Sequence, residues 1–480
     1  MSKITKKVVF DAIHGFINLT RGEHQLLQTP YYQRLRWIKQ LGFTFYIFPG
    51  GTHTRFPHAL GVLHMMDRIL KSIGKGVPDE KLFDPENRDP ETLFHRKMRM
   101  AAMLHDIGTF PFSHTIELAY INHWRKQQSF GVRARKPNHE TLGSHIIQNT
   151  NFPGGITKVL RDEGIDPAEL SQIIAGKSSS LLANQLMHSD IDADRMDYLM
   201  RDAYHTGVNY GWYDDDYLIH NLTTYQIGNQ EGVAIREHAR HVAEYFLICR
   251  YSWYTQIIDD GTGYKFDLVA AKIHEYFLEN GFGHSFEHLF KNIALDPNSY
   301  FSFNDNYFQG LVSQFLSNPS AHPVIKELCE MLAYRRAPKQ IKVAPIAPTL
   351  IQNQEHKLYI SQQILELVDW LADELSHLGP NAWMINDIPK KDIAFTSDLD
   401  SVKREAKGQP LALMRDPVKM VMGDGEVKLI VEDSNSILKV MSQYRNFIPR
   451  LYVSPRTYEE MEKRGLLKTF IGHCRKKMAA

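Results

Sequence analysis

His105 and Asp106 stand side by side at the end of an apolar run, Ala101-Ala102-Met103-Leu104, and a second histidine, His114, follows after Gly108 and Pro111. Adjacent helical side chains point about 100° apart, so the pair can share a ligand only close to a helix end. Imidazole together with carboxylate suits a Mn, Fe, Zn or Mg ion. A lone His-Asp pair is more often a surface hydrogen bond, but two other segments supply matching groups. His58 lies in Thr52-His53-Thr54-Arg55-Phe56-Pro57-His58, and Asp194 lies in the acid-rich stretch from Ser189 to Asp202. Two imidazoles and two carboxylates leave open positions on a six-coordinate ion for water and a phosphate oxygen. Such a site lowers the pKa of bound water and polarises a phosphoryl group. Arg55, Arg195, Tyr198 and Arg250 offer the cations and hydroxyl that suit phosphate. His114, His139 and Glu140 are groups that can move protons.

These residues need elements to position them. Lys7–Leu19, with an Asp11/Gly15 turn region, reads as a short strand pair. Thr29-Pro30 caps and opens a helix running from Tyr31 to Leu41, ended by Gly42. Pro57 can initiate a second helix carrying Arg55 and His58. The Pro- and Asp-rich stretch Val77–Asp89 is a connector, after which helix resumes near Glu91 and delivers His105-Asp106. Asn138 caps a helix whose first turn holds His139 and Glu140. On a helix, Asp190, Asp194, Asp197 and Arg201 recur on one face. Like charges at that spacing require a cation to offset them. Tyr225–Ile235, centred on Gly228, reads as a hairpin, and a long helix follows from Arg236 through Arg250 to Ile258. Asp267 to Tyr334 is mostly helical by periodicity. Pro338, Pro345 and Pro348 mark a boundary, and a helix from Leu358 to His377 follows. Beyond it come a turn at Asp424-Gly425, a strand over Glu426–Val431 and a helix over 435–446.

The chain has 480 residues, more than one comfortable core holds. Its 43% hydrophobic and 23% charged content is that of an ordinary globular protein. A net charge of +1 gives no global pull toward nucleic acid or membrane. The basic runs Arg133–Lys136 and Arg475-Lys476-Lys477 read as solvated surface. Cys249, Cys329 and Cys474 are odd in number and far apart, which fits a reducing compartment. The opening residues lack a signal-peptide pattern, and no apolar run approaches the ~18 residues that span a bilayer. A cytoplasmic protein is expected.

The order H…HD…D resembles the HD-domain superfamily of metal-dependent phosphohydrolases. Further stretches extend the likeness: Gln33-Arg34-Leu35-Arg36-Trp37-Ile38-Lys39-Gln40-Leu41-Gly42, Arg55-Phe56-Pro57-His58-Ala59-Leu60-Gly61-Val62, Pro111-Phe112-Ser113-His114, and Asp194-Arg195 through Asp197-Tyr198 to Arg201-Asp202. These resemble the deoxynucleoside triphosphate triphosphohydrolases, in the branch that includes the human SAM- and HD-domain enzyme and its bacterial relatives. The likeness is good from about residue 7 to 260 and weak beyond. It implies a mainly α-helical HD core followed by a mixed α+β C-terminal region. It also implies one metal held by His58, His105, Asp106 and Asp194. Gln40 and Leu41 would lie against the deoxyribose, Arg55, Arg195 and Arg250 on phosphates, and Tyr198 and Asp202 on the sugar. His114 would reach the α-phosphate with the His139-Glu140 pair nearby, and Glu117 takes the place of the family's Asp after the last His. The reaction implied is attack at the α-phosphorus, releasing deoxynucleoside and triphosphate, by a homo-oligomer.

The chain also departs from the family pattern. Relatives read HD-x-G-H-G-P-[FY]-S-H, whereas Thr109 and Phe110 stand here for the middle His and Gly. Past Arg250, Ile258, Asp259, Asp260 and Gly261 replace base- and sugar-reaching residues. Phe10 and Gln28 stand where the activator-nucleotide site of the human branch has Asn and Asp, the Asp being its guanine reader. The expected activity is metal-dependent hydrolysis of (deoxy)nucleoside triphosphates. The alternatives are an HD phosphohydrolase acting on another nucleotide, and a nucleotide-binding sensor with weak catalysis. Near-neutral charge weighs against a nuclease. The segments expected are 1–48 (strand pair and helix), 49–265 (catalytic core), 266–345 (helical extension) and 346–480 (α+β).

Overall fold

The computed structural model describes residues 6–131, 134–258, 261–341, 354–388, 393–443, 445–446 and 449–478. Arg133, Asp259, Asp260, Pro345, Pro348 and the first five residues lie outside them. The protein is mainly helical, with small sheets at its start and in its C-terminal region.

Strands Lys7–Asp11 and Gly15–Leu19 form the expected antiparallel pair. The helix Arg21–Gln28 that follows is announced by Thr20 and Glu23, whose side chains each bond the other's backbone N–H in a capping box. Thr29 caps the next turn as expected, but the helix is short. Pro30–Gln33 passes into a 3₁₀ turn, Arg34–Trp37, and the chain is extended by Ile38. The expected continuation to Leu41 is overridden by tertiary pairing. Lys39 bridges Thr54, and the Gln40 N–H donates to the His53 carbonyl at 3.0 Å.

Five helices carry the residues of interest: Arg55–Ser72, Pro90–Leu104, His114–Ser129, His139–Asn149 and Ala193–Thr206. Asp190 precedes the last of these rather than sharing its face. Asp192 caps that helix by accepting the Arg195 N–H at 2.8 Å, so helical geometry begins only at Ala193. Two glycines set how closely these helices approach. A Cβ on Gly61 would lie 1.8 Å from Asp197 Oδ1, and one on Gly108 would lie 2.1 Å from the His139 carbonyl. Gly61→Ala is expected to cost about 1–3 kcal/mol through overpacking, read as a lower midpoint in a thermal melt, because the obstructing atom belongs to a wholly buried side chain.

One hydrophobic cluster runs from Ile17 through these helices and the helical segment 266–332 to Met420 and Tyr452. The hairpin Leu222–Ile227/Gln230–Arg236 continues into C-terminal chain. Ile235 pairs in parallel with Met420 of Lys419–Val421, which pairs antiparallel with Val427–Leu429. A second cluster lies between the helices Gln354–Ser376 and Leu466–Met478 and the strand Arg450–Val453. The helix expected over 435–446 shrinks to Leu438–Met441. Glu244 accepts from Ser436 Oγ and the Ile437 N–H, fixing a turn there, and Asn446 pairs with Ile393 as strand. No helix among the described residues is long and apolar enough to cross a membrane.

Candidate metal centre

The helix Pro90–Leu104 ends with His105 at its cap, so His105 and Asp106 leave the helical register where they can face one point. The Arg55–Ser72 helix brings His58 there, and the first turn of Ala193–Thr206 brings Asp194. His58, His105 and Asp106 present ligand atoms within 4.8 Å of one another. Asp194 Oδ1 lies 3.0 Å from His58 Nε2 and 3.6 Å from His105 Nε2. His58 Nδ1 bonds Asp197 Oδ2 at 2.7 Å, and His105 Nδ1 bonds the Ala102 carbonyl at 2.7 Å. Both rings therefore carry the proton on Nδ1 and turn Nε2 inward.

Those two Nε2 atoms are buried and have no hydrogen-bond partner among the described residues, since the approach of Asp194 to His58 lacks the alignment of a hydrogen bond. Buried acceptors left open beside two carboxylates are what a divalent cation would satisfy, so the residues fit the group. Without a cation, burial opposes charge on His58, yet Asp194 and Asp197 push its pKa up to about 10. A proton and a metal thus compete for the same nitrogen.

Asp197 was not singled out in the sequence as a site residue, although its position three after Asp194 placed it on the same face. It is wholly buried and accepts from His14 Nε2 at 2.6 Å, His58 Nδ1 and the Arg201 guanidinium. Arg201 also bonds both carboxylate oxygens of Asp11. The N-terminal strand pair thus braces the metal-facing imidazole, and Arg201 is the offsetting cation that the acidic face required. Asp197→Asn is expected to weaken metal affinity about 10–100-fold, measured by competition with a chelating dye.

A second group stands beside the first. Phe112 and Ser113 both have positive φ, +50° and +56°, a costly backbone for residues with a Cβ. Asp305 holds the Phe112 N–H at 2.6 Å, and Ser113 Oγ donates to the Lys39 carbonyl at 2.6 Å. This turn starts the His114–Ser129 helix, with His114 exposed at its tip. The buried Glu117 carboxylate joins His114 Nδ1 and His139 Nδ1, each at 2.8 Å, and also takes the His139 N–H. Burial disfavours charge on both partners, but their mutual attraction wins. Glu117 is held well below the usual carboxylate range and His139 is pushed up to about 9. The expected pairing of His139 with Glu140 is thereby corrected. Glu140 is exposed, and Glu117 orients His139 because it reaches ring and backbone together. Thr109 is buried and its hydroxyl donates to Asp106 Oδ1 at 3.2 Å.

The residues expected on substrate divide into two groups. Arg55 donates to Asp106 Oδ2 at 2.6 Å and to Ser113 Oγ at 3.0 Å, at the edge of the metal cluster. Gln40 is buried with its Oε1 unpartnered, and Leu41 is buried beside it. Arg195 bonds Asp192 and the Ser189 carbonyl, and its Nε is unpartnered. Tyr198 packs on Trp253 with ring centres 4.6 Å apart. Two residues already have partners within the protein. Asp202 is wholly buried, and its two oxygens take His53 Nε2 at 2.7 Å and Trp253 Nε1 at 2.8 Å. Arg250 is buried, with one terminal nitrogen on Asp190 and the other on the Phe395 carbonyl, so it presents neither to solvent. Phe10 and Gln28, at the expected activator position, are both exposed.

Residues 55–202 match the HD domain family, spanning all four candidate ligands. The chain thus carries an HD domain, the domain of metal-dependent phosphohydrolases. Within them it is similar to the deoxynucleoside triphosphate triphosphohydrolase-like branch. It is 29% identical over 227 residues to human deoxynucleoside triphosphate triphosphohydrolase SAMHD1, covering 42% of this chain and 34% of that one. It is 31% identical over 274 residues to the uncharacterized protein YwfO of Bacillus subtilis, covering 56% of each. It is also 31% identical over 251 residues to the uncharacterized protein MJ1154 of Methanocaldococcus jannaschii, covering 52% of this chain and 45% of that one. The chain spans about half the length of the curated relatives it matches. Its fold matches a hypothetical protein from Aquifex aeolicus with a TM-score of 0.64 at 22% identity, over 98% of this chain and 100% of that one.

Proposed function

We propose that the chain hydrolyses nucleoside triphosphates, deoxynucleotides foremost, at the α-phosphorus, giving nucleoside and triphosphate. The observation that carries this reading is the pair of buried, unpartnered imidazole nitrogens facing Asp106 and Asp194, with the Glu117-bridged histidines beside them. A bound divalent ion would supply Lewis acidity toward a phosphoryl oxygen and an activated water. The chain's own residues do the rest. Arg55 and Arg195 hold phosphate oxygens, and Gln40 and Leu41 close the site beside the sugar. As water adds to the α-phosphorus and the bond to the 5′-oxygen breaks, His114 delivers a proton to that leaving oxygen. Glu117 holds His114 and His139 by Nδ1, leaving each Nε2 to face substrate.

The test is to incubate the purified protein with each dNTP and NTP plus Mn²⁺ or Mg²⁺ and to identify products by chromatography. Release of intact triphosphate supports the reading, and absence of turnover on every nucleotide defeats it. The commitment of Asp202 to His53 and Trp253 favours a second reading, an HD phosphohydrolase on another nucleotide. Equal turnover of ribo- and deoxyribonucleotides would select it.

The His139–Glu117 pair gives a pH dependence. A pKa raised to about 9 keeps the imidazolium below that value and loses it above. The pair's contribution to stability is accordingly full between the ordinary carboxylate and histidine ranges and lost as pH rises through about 9. Glu117→Gln removes the strongest of the attractions that oppose burial, so the His139 pKa falls. The alkaline limb of the pH–rate profile is expected to move to lower pH.

A further inference from the structure

Arg250 is fastened by the C-terminal region. Its Nη1 donates to Asp190 Oδ1 at 2.6 Å and its Nη2 to the Phe395 carbonyl at 2.7 Å. The other oxygen of Asp190 accepts from Thr396 Oγ1 at 2.6 Å, and the Asp190 N–H donates to the Asp416 carbonyl at 2.8 Å. The Phe395 ring lies flat on Tyr251, the residue after Arg250, with centres 3.8 Å apart and 16° between planes. Asp190 is four residues before Asp194, so these bonds tie the C-terminal chain to the turn that leads into the candidate metal centre.

The arrangement leaves a deficit of acceptors. The Nε atoms of Arg195 and Arg250 are both buried without a partner. The two guanidinium groups disfavour each other's charge, and Asp190 offsets both. Asp190 bonds Arg250 and Asp192 bonds Arg195, so each guanidinium has one carboxylate in contact where a polyphosphate chain would bring several oxygens.

We infer that Phe395 and Thr396 form a latch that keeps Arg250 in an internal ion pair with Asp190, and that a polyphosphate chain entering between Arg195 and Arg250 displaces Asp190 and releases this C-terminal segment. The latch rests on the proposed function for placing a phosphate at Arg195, the neighbour of Arg250. It makes anion binding weaker than the arginines alone would give, and it makes the position of residues 395–396 a report of occupancy.

The test is calorimetric titration of the full chain with inorganic tripolyphosphate in saturating Mg²⁺. Thr396→Val removes one bond to Asp190 while leaving the Arg250–Asp190 charges paired, and Phe395→Ala removes the stack without touching a charge. Each is expected to tighten tripolyphosphate binding, Thr396→Val by roughly tenfold, the value of one hydrogen bond to a charged acceptor. Adding Arg250→Ala to Thr396→Val should erase the gain. Binding that is unchanged, weaker or undetectable in both single variants overturns the latch. Nucleotide hydrolysis is measured on the same samples. Tighter tripolyphosphate binding without turnover on any nucleotide would uphold the latch and defeat the hydrolase. Turnover with unaltered tripolyphosphate binding would do the reverse.

Discussion

Asp194→Ala is expected to abolish metal binding and hydrolysis while leaving the protein nearly as stable as before. Its side chain is 34% exposed, and no hydrogen bond aligns on it from His58. Removing it takes one of two carboxylates from His58, which Asp197 still holds at Nδ1, and it opens the ligand set. Lewis acidity at a phosphoryl centre is worth several kcal/mol, so turnover should fall by roughly 10³-fold or more. Asp106→Ala should match that loss and add an unfolding penalty. Asp106 accepts from Arg55, itself buried, at 2.6 Å. An uncompensated buried charge costs about 3–5 kcal/mol. Metal content by mass spectrometry and a denaturant titration read the two effects separately. Retention of one metal per chain and full activity in Asp194→Ala would refute the ligand set.

His114→Ala is expected to be far more damaging than Thr109→Ala. A threonine hydroxyl cannot gain or lose a proton near pH 7, and here it is spent on Asp106 Oδ1 from within the core. Its loss removes one weak bond to a ligand carboxylate. His114 stands at a helix tip with 69% of its side chain exposed, tethered by Nδ1 to Glu117 and edge-on to the His139 ring. That places its Nε2 where an incoming substrate would meet it. Removal of a general acid costs about 10²–10⁴-fold, with His139 still held by Glu117. Metal content should be unaltered in both variants, because neither residue is among the four candidate ligands. Turnover on the best nucleotide from the screen decides the matter. Equal, mild losses would remove His114 as the proton-handling group and favour a nucleotide sensor.

The amino-acid order by itself determined many of the local elements and singled out the candidate metal-facing groups. Caps at Thr29 and Asn138, the strand pair around Asp11 and Gly15, and the hairpin at Gly228 are local choices of backbone and side-chain hydrogen bonding, legible within a few residues. His58, His105, Asp106 and Asp194 were legible as a set because a metal needs those residue types. Tertiary structure alone decided which polar groups are already spent. Asp202 and Arg250 look available in sequence, yet Trp253, His53, Asp190 and Phe395 satisfy them. Glu117 stands out in sequence only through the family likeness and Asp197 only as part of an acidic face, yet each joins segments distant in the chain. The physical reason is that burial drives most polar groups to find a partner, and for Asp197 and His139 that partner depends on the close helix approaches at Gly61 and Gly108.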